Sequence, residues 1–377
     1  DMEYWSLEQA KLGKAAEKPL ARTVVVVTGG AGAIGAATAR AFAAQGADLA
    51  VLDLDGEAAA SVARGCGARA LGLACDVTNA AQVRGAFKAV AAPFGGLDIG
   101  VSNAGAAWGG RMAELADGDL RASFELNFFS HQLVAQAALA LFRAQDGLPG
   151  SASSSSPASA SGSSASPAGT AGDHASPAIA TSSACPATPP LKLGGQLLFN
   201  VSKQALNPGP GFGAYGTSKA ALLALVRQYA LEEGGAGIRV NAINADRIRS
   251  GLLTEAMIRE RSAARGLSEA DYMGGNLLAA EVRAEDVAEA FVALARMQRT
   301  TGALLTVDGG NVAAMVRSGR ASLASGPIQG LVAALSADLL ITAATASLDL
   351  SLLAKDWVPL TALALAGLVW NLAVVLL

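Results

Sequence analysis

Short, mainly apolar runs alternate along this chain with longer stretches whose apolar residues recur every three or four positions. The short runs are Val24–Val27, Asp48–Leu52, Ala70–Ala74, Ile99–Ser102, Gln196–Val201, Ile238–Ile243 and Leu304–Val307. Their length and β-branched content predict strands, and their continuity predicts burial on both faces. Helical spacing covers Ala33–Gln45, Gly56–Arg64, Ala80–Ala92, Asp117–Arg143, Gly213–Glu233 and Ala284–Arg296. Strands that alternate with helices predict an α/β fold: a doubly wound, Rossmann-type parallel sheet of about seven strands with helices on both faces.

Two segments break the alternation. Residues 148–191 are almost entirely Ser, Ala, Pro, Gly and Thr. Such a segment has too little apolar bulk to form a core, and disorder is expected. It falls between a helix and the strand at Gln196, so it should lie at the sheet edge opposite the strand C-termini, away from a ligand. The second is the apolar tail, residues 319–377. Within it Trp357 to Leu377 carries no charge over 21 positions. At ~1.5 Å per residue that run could cross a bilayer core of about 30 Å. A membrane anchor, a helix packed on a partner subunit and an erroneous extension of the gene all fit it. Residues 20–318 are then one catalytic domain, and residues 1–19 a linker remnant. The chain starts without Met, which suggests a fragment.

Composition adds exclusions. The net charge of -3 and the lack of a basic stripe give no hint of a nucleic-acid partner. Three scattered cysteines do not make a disulfide framework, and His131 and His174 are the only histidines. No metal site is expected. A reduced compartment and a cytoplasmic catalytic domain follow, with membrane association through the tail if the anchor is real.

The chemistry begins where the first strand meets Thr28-Gly29-Gly30-Ala31-Gly32-Ala33-Ile34-Gly35. Glycines at a strand-to-helix turn let the backbone approach a pyrophosphate, and the helix N-terminus supplies N–H groups and a positive dipole end. In a chain with 43 glycines the pattern alone is weak, and a plain tight turn is the competing reading. Asp53 stands 18 residues past Gly35, at the end of the second apolar run. An acid there would bond an adenosine ribose and repel a 2′-phosphate, which favours NAD over NADP. A helix cap is the plain alternative for Asp53. Far downstream comes Tyr215-Gly216-Thr217-Ser218-Lys219. A lysine one helical turn after a tyrosine can lower the phenol pKa, so that the tyrosine moves a proton while a hydride moves to or from nicotinamide. Taken alone, the two read first as a surface pair on a helix.

These motifs together resemble the short-chain dehydrogenase/reductase family over about Leu20 to Val312, the insert apart. The resemblance rests on Thr28 to Gly35, Cys75-Asp76-Val77, Ser102-Asn103-Ala104-Gly105, Asn127, Ser202, Tyr215-x-x-x-Lys219, Arg239-Val240-Asn241 and Asp308-Gly309-Gly310. It implies Tyr215 as acid/base and Lys219 as holder of the nicotinamide ribose. It implies Ser202, 13 residues before Tyr215, as partner of the substrate oxygen. Asn127 would kink its helix and hold a relay water. Gly29, Gly32, Ala33, Ile34 and Gly35 would border the pyrophosphate, Asp53 the ribose, and Asp76 and Val77 the adenine. Asn103, Ala104 and Gly105 would run beneath the cofactor, and Ser250 would meet the nicotinamide carboxamide. Homodimers or homotetramers are implied as well. The chain departs from the family's usual pattern at Ala33, at Lys203 and at Ala245-Asp246.

Those departures, with the run Phe199 to Pro210 and the run Asn244 to Thr254, resemble the dehydrogenase half of bifunctional rhamnulose-1-phosphate aldolase/alcohol dehydrogenase proteins. That implies L-lactaldehyde as substrate and L-lactate as product. The expected function is therefore an NAD-dependent oxidoreductase acting on a small hydroxy-aldehyde or alcohol. The alternatives are a general NAD(P)-dependent sugar or secondary-alcohol dehydrogenase, and an inactive, membrane-tethered NAD-binding protein.

Overall fold

The structure, a computed structural model, describes residues 17–145 and 194–314. The expected insert at 148–191 and the tail at 319–377 lie outside the described residues, as does most of the 1–19 linker. The chain divides into two units, Asp1–Val312 and Ala313–Leu377, and all the architecture below belongs to the first.

Seven strands form one sheet: β1 Val24–Thr28, β2 Asp48–Asp53, β3 Ala70–Ala74, β4 Ile99–Ser102, β5 Gly195–Asn200, β6 Ile238–Ala245 and β7 Leu304–Val307. Their order is β3-β2-β1-β4-β5-β6-β7, and every pairing is parallel. This is the doubly wound arrangement expected from the alternation.

The valine run shows why the sheet is buried twice over. Successive side chains on a strand point to opposite faces. Val24 and Val26 therefore join one core cluster, with Leu52, Phe199 and Val240, while Val25 and Val27 join the other, with Leu49, Val101 and Ile243. Helices Ala80–Phe94, Ser130–Gln145 and Gly213–Glu233 close the first cluster through Phe87, Phe142 and Val226. Helices Ala33–Ala44, Gly56–Cys66 and Ala284–Arg296 close the second through Phe42, Ala59 and Phe291. Each fully buried valine or phenylalanine contributes about 1.5–3 kcal/mol, an upper bound.

One predicted helix is interrupted. Asp117–Arg143 resolves into a helix at Asp117–Phe124, a π-helical turn at Glu125–Phe129 and a second helix at Ser130–Gln145. A wider turn of this type re-aims side chains, and it contains Asn127. The apolar period continues through it, so the period alone gives one helix. Two short helices, Glu255–Ala263 and Glu269–Met273, lie in a stretch the pattern left unassigned. Both are built around a small separate cluster of Leu253, Ile258, Tyr272 and Met273.

The described residues on either side of the insert are held against the sheet. The Gln145 side chain donates to Leu97 O and accepts from Leu97 N, just before β4 begins. Gly194 N donates to Gly237 O, just before β6. Both flanks are thus at the strand N-termini.

Candidate active site

The site grows from the strand C-termini. β1 pairs with β2 on one side and β4 on the other, so the chain leaves the sheet in opposite directions at this point. Such a switch point opens a crevice. The cavity there has a volume of about 810 Å³, and its wall takes residues from the ends of β1 through β6.

Gly29 has φ +61°, and a Cβ on it would lie 2.8 Å from Ala104 Cα. A Cβ on Gly35 would lie 2.1 Å from Gly29 O. These two glycines are required by the turn itself. Gly32 differs: a Cβ there meets only Gly29 O, at 3.4 Å, so its freedom faces the cavity. Gly32 also caps helix Ala33–Ala44 with no side-chain bond to the first turn, and that turn holds no acid. The free N–H groups and the positive helix end, with Ala33 and Ile34 on the wall, suit a pyrophosphate.

Asp53 ends β2. Its Oδ2 accepts from Ala31 N at 2.9 Å and its Oδ1 from Asp55 N at 3.3 Å. The carboxylate thus ties the glycine turn to the cavity wall and keeps lone pairs free for a ribose. Asp76 and Val77 line the same end. Asp76 Oδ1 accepts from the Thr78 backbone and hydroxyl, so it also orders its own turn.

The floor is cross-linked. Asn103 Nδ2 donates to Thr28 O and Gly29 O, both at 3.1 Å, and Asn103 Oδ1 accepts from Asn200 Nδ2 at 2.8 Å. Asn127, fully buried, clamps Ala106 by donating from Nδ2 to its carbonyl and accepting at Oδ1 from its N–H. A Cβ on Gly105 would come within 2.9 Å of Asn127 Oδ1.

Ser202, Tyr215 and Lys219 meet on the next part of the wall. Ser202 Oγ accepts from Gln204 N at 3.2 Å, which fixes its rotamer. Burial pushes the Tyr215 hydroxyl above its usual pKa; a hydrogen bond to Ser202 opposes this, and the Asp246 charge adds to it. Lys219, almost wholly buried, donates from Nζ to Asn200 O at 2.9 Å and lies 5.9 Å from the Tyr215 ring centroid. Burial pulls its ammonium down to about 7. Ser250 reaches the cavity, and its hydroxyl donates to Ile248 O at 3.1 Å.

Every nominated residue except Asn127 lines the cavity, and Asn127 stands directly behind it. Three residues were not nominated. Thr28 Oγ1 accepts from Asn103 N at 3.0 Å, and Asn200 holds both Asn103 and Lys219. His131 is fully buried, with Nδ1 2.6 Å from Ser102 Oγ and Nε2 3.5 Å from Lys219 Nζ. Burial and the Lys219 charge push its pKa well down, so it is neutral. No sequence signal links His131 to Lys219 across 88 positions.

Comparison with known proteins follows the same outline. The family profile for short chain dehydrogenase matches residues 23–155, and that described as Enoyl-(Acyl carrier protein) reductase matches residues 176–311. The 4-formylbenzenesulfonate dehydrogenase TsaC1/TsaC2 of Comamonas testosteroni is 31% identical over 298 residues, which is 77% of this chain and 98% of that protein. The chain belongs to the short-chain dehydrogenase/reductase family. It is an oxidoreductase of that family by the same relationship. The uncharacterized oxidoreductase YuxG of Bacillus subtilis (strain 168) is 31% identical over 331 residues, or 84% of this chain, but the match spans only 41% of YuxG. A short chain dehydrogenase from Burkholderia cenocepacia J2315, solved in complex with NADP, superimposes with TM-score 0.57 at 26% identity, covering 78% of this chain and 98% of that one. Short-chain dehydrogenase/reductases share the seven-stranded sheet seen here.

Proposed function

We propose that this protein is an NAD-dependent dehydrogenase that moves a hydride between a small hydroxy-aldehyde or alcohol and nicotinamide, with Tyr215 as acid/base and L-lactaldehyde as preferred substrate. The observation that carries it is the meeting of Tyr215, Ser202 and Lys219 beside an uncapped helix N-terminus at the sheet's switch point. The substrate preference rests on the resemblance to the dehydrogenase half of rhamnulose-1-phosphate aldolase/alcohol dehydrogenase proteins.

The dinucleotide would lie with its pyrophosphate at Gly32 to Gly35, its adenosine between Asp53 and Asp76-Val77, and its nicotinamide end at Asn103 to Gly105, Lys219 and Ser250. Asp53 would accept from ribose hydroxyls and repel a 2′-phosphate, hence NAD rather than NADP. Bound there, NAD supplies the hydride acceptor. Ser202 holds the substrate oxygen, and Tyr215 takes its proton through the same hydrogen-bonded pair. Lys219 presents an Nζ donor to the ribose and, in its protonated form, a positive charge beside the phenol. A hydrated aldehyde carries two hydroxyls on one carbon. Loss of one hydroxyl proton to Tyr215 and of the C–H as hydride leaves the carboxylic acid, so no cysteine nucleophile is needed.

The test is the initial rate of NADH formation from L-lactaldehyde in wild type and Tyr215→Phe. The expected result is a rate with NAD well above that with NADP, and a loss in Tyr215→Phe of at least about 100-fold with NAD affinity retained. A Tyr215→Phe protein that keeps its rate refutes the assignment of the acid/base.

A further inference from the structure

The cavity that holds Tyr215 is electrically polarised. Its charged wall residues at the β1–β3 end are Asp53, Asp55 and Asp76. At the other end stand Lys203, Arg247, Arg261 and Arg265, with Asp246 among them. Asp246 is already engaged. Its carboxylate lies 3.8 Å from Lys203 Nζ and 3.7 Å from Arg247 Nε, and it accepts from the Asn311 amide.

Arg261 and Arg265 are left over. Among the described residues neither has a carboxylate partner. The Arg261 guanidinium lies 5.0 Å from the centroid of the Phe212 ring. Arg265 lies 5.3 Å from the centroid of Tyr272, and Arg247 5.1 Å from the same ring. Phe212 and Tyr272 both belong to the cavity wall, so the rings fix these cations at the cavity. Arg265 Nη1 donates to Arg261 O at 2.9 Å, which leaves most of its donors unused. Arg247 and Arg265 share the Tyr272 ring, and one aromatic face offsets only part of the repulsion between two guanidiniums. The contrast with Arg249 is informative. That side chain, two residues from Arg247, is saturated by Glu255 and Glu281.

We propose that Arg261 and Arg265 form an anion subsite for a phosphate or carboxylate that the substrate carries away from its reacting carbon. The subsite rests on the dehydrogenase reading above, and it extends the substrate class to hydroxy-aldehydes with a terminal anion. L-Lactaldehyde is then the preferred substrate among the neutral members of the series. The fork of a guanidinium matches either anion with two parallel hydrogen bonds.

The experiment compares kcat/KM for glyceraldehyde 3-phosphate and for glyceraldehyde, with NAD, in wild type, Arg261→Gln, Arg265→Gln and the double variant. Wild type should prefer the phosphate ester by about tenfold or more, chiefly through KM. That ratio should fall towards one in the double variant, return in part in Arg261→Lys, and shrink with added salt. Equal kcat/KM for the two aldehydes in wild type overturns the subsite. So does a double variant that keeps the ratio and instead loses NADH affinity, because the arginines would then serve the cofactor phosphates. Should neither aldehyde turn over, the dehydrogenase reading fails with these substrates, and calorimetry still decides the subsite. Glycerol 3-phosphate titrated into NADH-saturated protein should bind where glycerol does not, and the double variant should lose that binding; absence of binding to wild type overturns the proposal.

Discussion

At the scale of the residue, Tyr215 and Lys219 carry opposite consequences of one cause. Burial disfavours the charged form of each, so it raises the tyrosine and lowers the lysine. Ser202 is the group that holds the tyrosine back down. Ser202→Ala should therefore move the rising limb of the kcat/KM profile for alcohol oxidation to higher pH, besides lowering its plateau. A plateau that falls with no shift in the limb would limit Ser202 to holding substrate. Lys219 affects stability as well. Its folded value of about 7 lies below an unfolded value of about 10.4. Below the lower value both states are protonated and the full cost of the buried charge is present. Between the two, the unfolded chain binds a proton that the folded chain lacks, so stability climbs with pH. Lys219→Met should therefore gain Tm relative to wild type near pH 7, and the gain should shrink towards pH 10, by about 2–4 °C for each kcal/mol relieved. A gap that stays constant with pH would show that Lys219 is charged throughout that range.

At the scale of the element, the glycine turn and the π-helical turn do different work. The first brings backbone to the cavity. Gly35→Ala places a methyl 2.1 Å from Gly29 O and 2.7 Å from Gly30 Cα, and backbone cannot yield as a side-chain tip does. A cost of about 1–3 kcal/mol is expected, read as lower Tm and weaker NAD binding. Unchanged NAD affinity would show that the turn tolerates the shift. The glycines, the strand they follow and the helix they open were all legible in the sequence, because each follows from local sterics and period. The π-helical turn at Glu125–Phe129 was not legible in the apolar period, and the family resemblance implied only a kink at Asn127. It depends on Asn127 closing on Ala106 and Ser123, contacts that the apolar period does not encode. The helices at Glu255–Ala263 and Glu269–Met273 were missed for a related reason. Their apolar residues pack on one another in a small cluster, and neither is long enough to show a repeat.

At the scale of the whole molecule, the parallel sheet holds the candidate site and the described flanks of the insert at opposite strand ends. All the candidate site residues gather at the strand C-termini, while Gln145 and Gly194, which flank the insert, anchor at the N-termini of β4 and β6. Loop closure cost changes only slowly with length. Deleting residues 151–189 should therefore leave kcat and KM near their wild-type values, as measured by steady-state NADH formation. A large fall in kcat would mean that the segment reaches the site. For the tail, no helix among the described residues is long and apolar enough to cross a membrane, and the run Trp357 to Leu377 lies outside them.

The sequence by itself determined the fold class, the seven strands and the motifs at their ends, since strand burial, glycine turns and helix starts are written in local spacing. It also singled out Tyr215 and Lys219, one helical turn apart, while Ser202 came from the family resemblance. Only the tertiary structure decided which distant groups complete the site. Asn200 on Lys219, His131 behind it, and Arg261 and Arg265 against two aromatic rings are contacts between elements far apart in the chain. Local period says which face of an element is buried; what that face meets depends on how the whole sheet is wound.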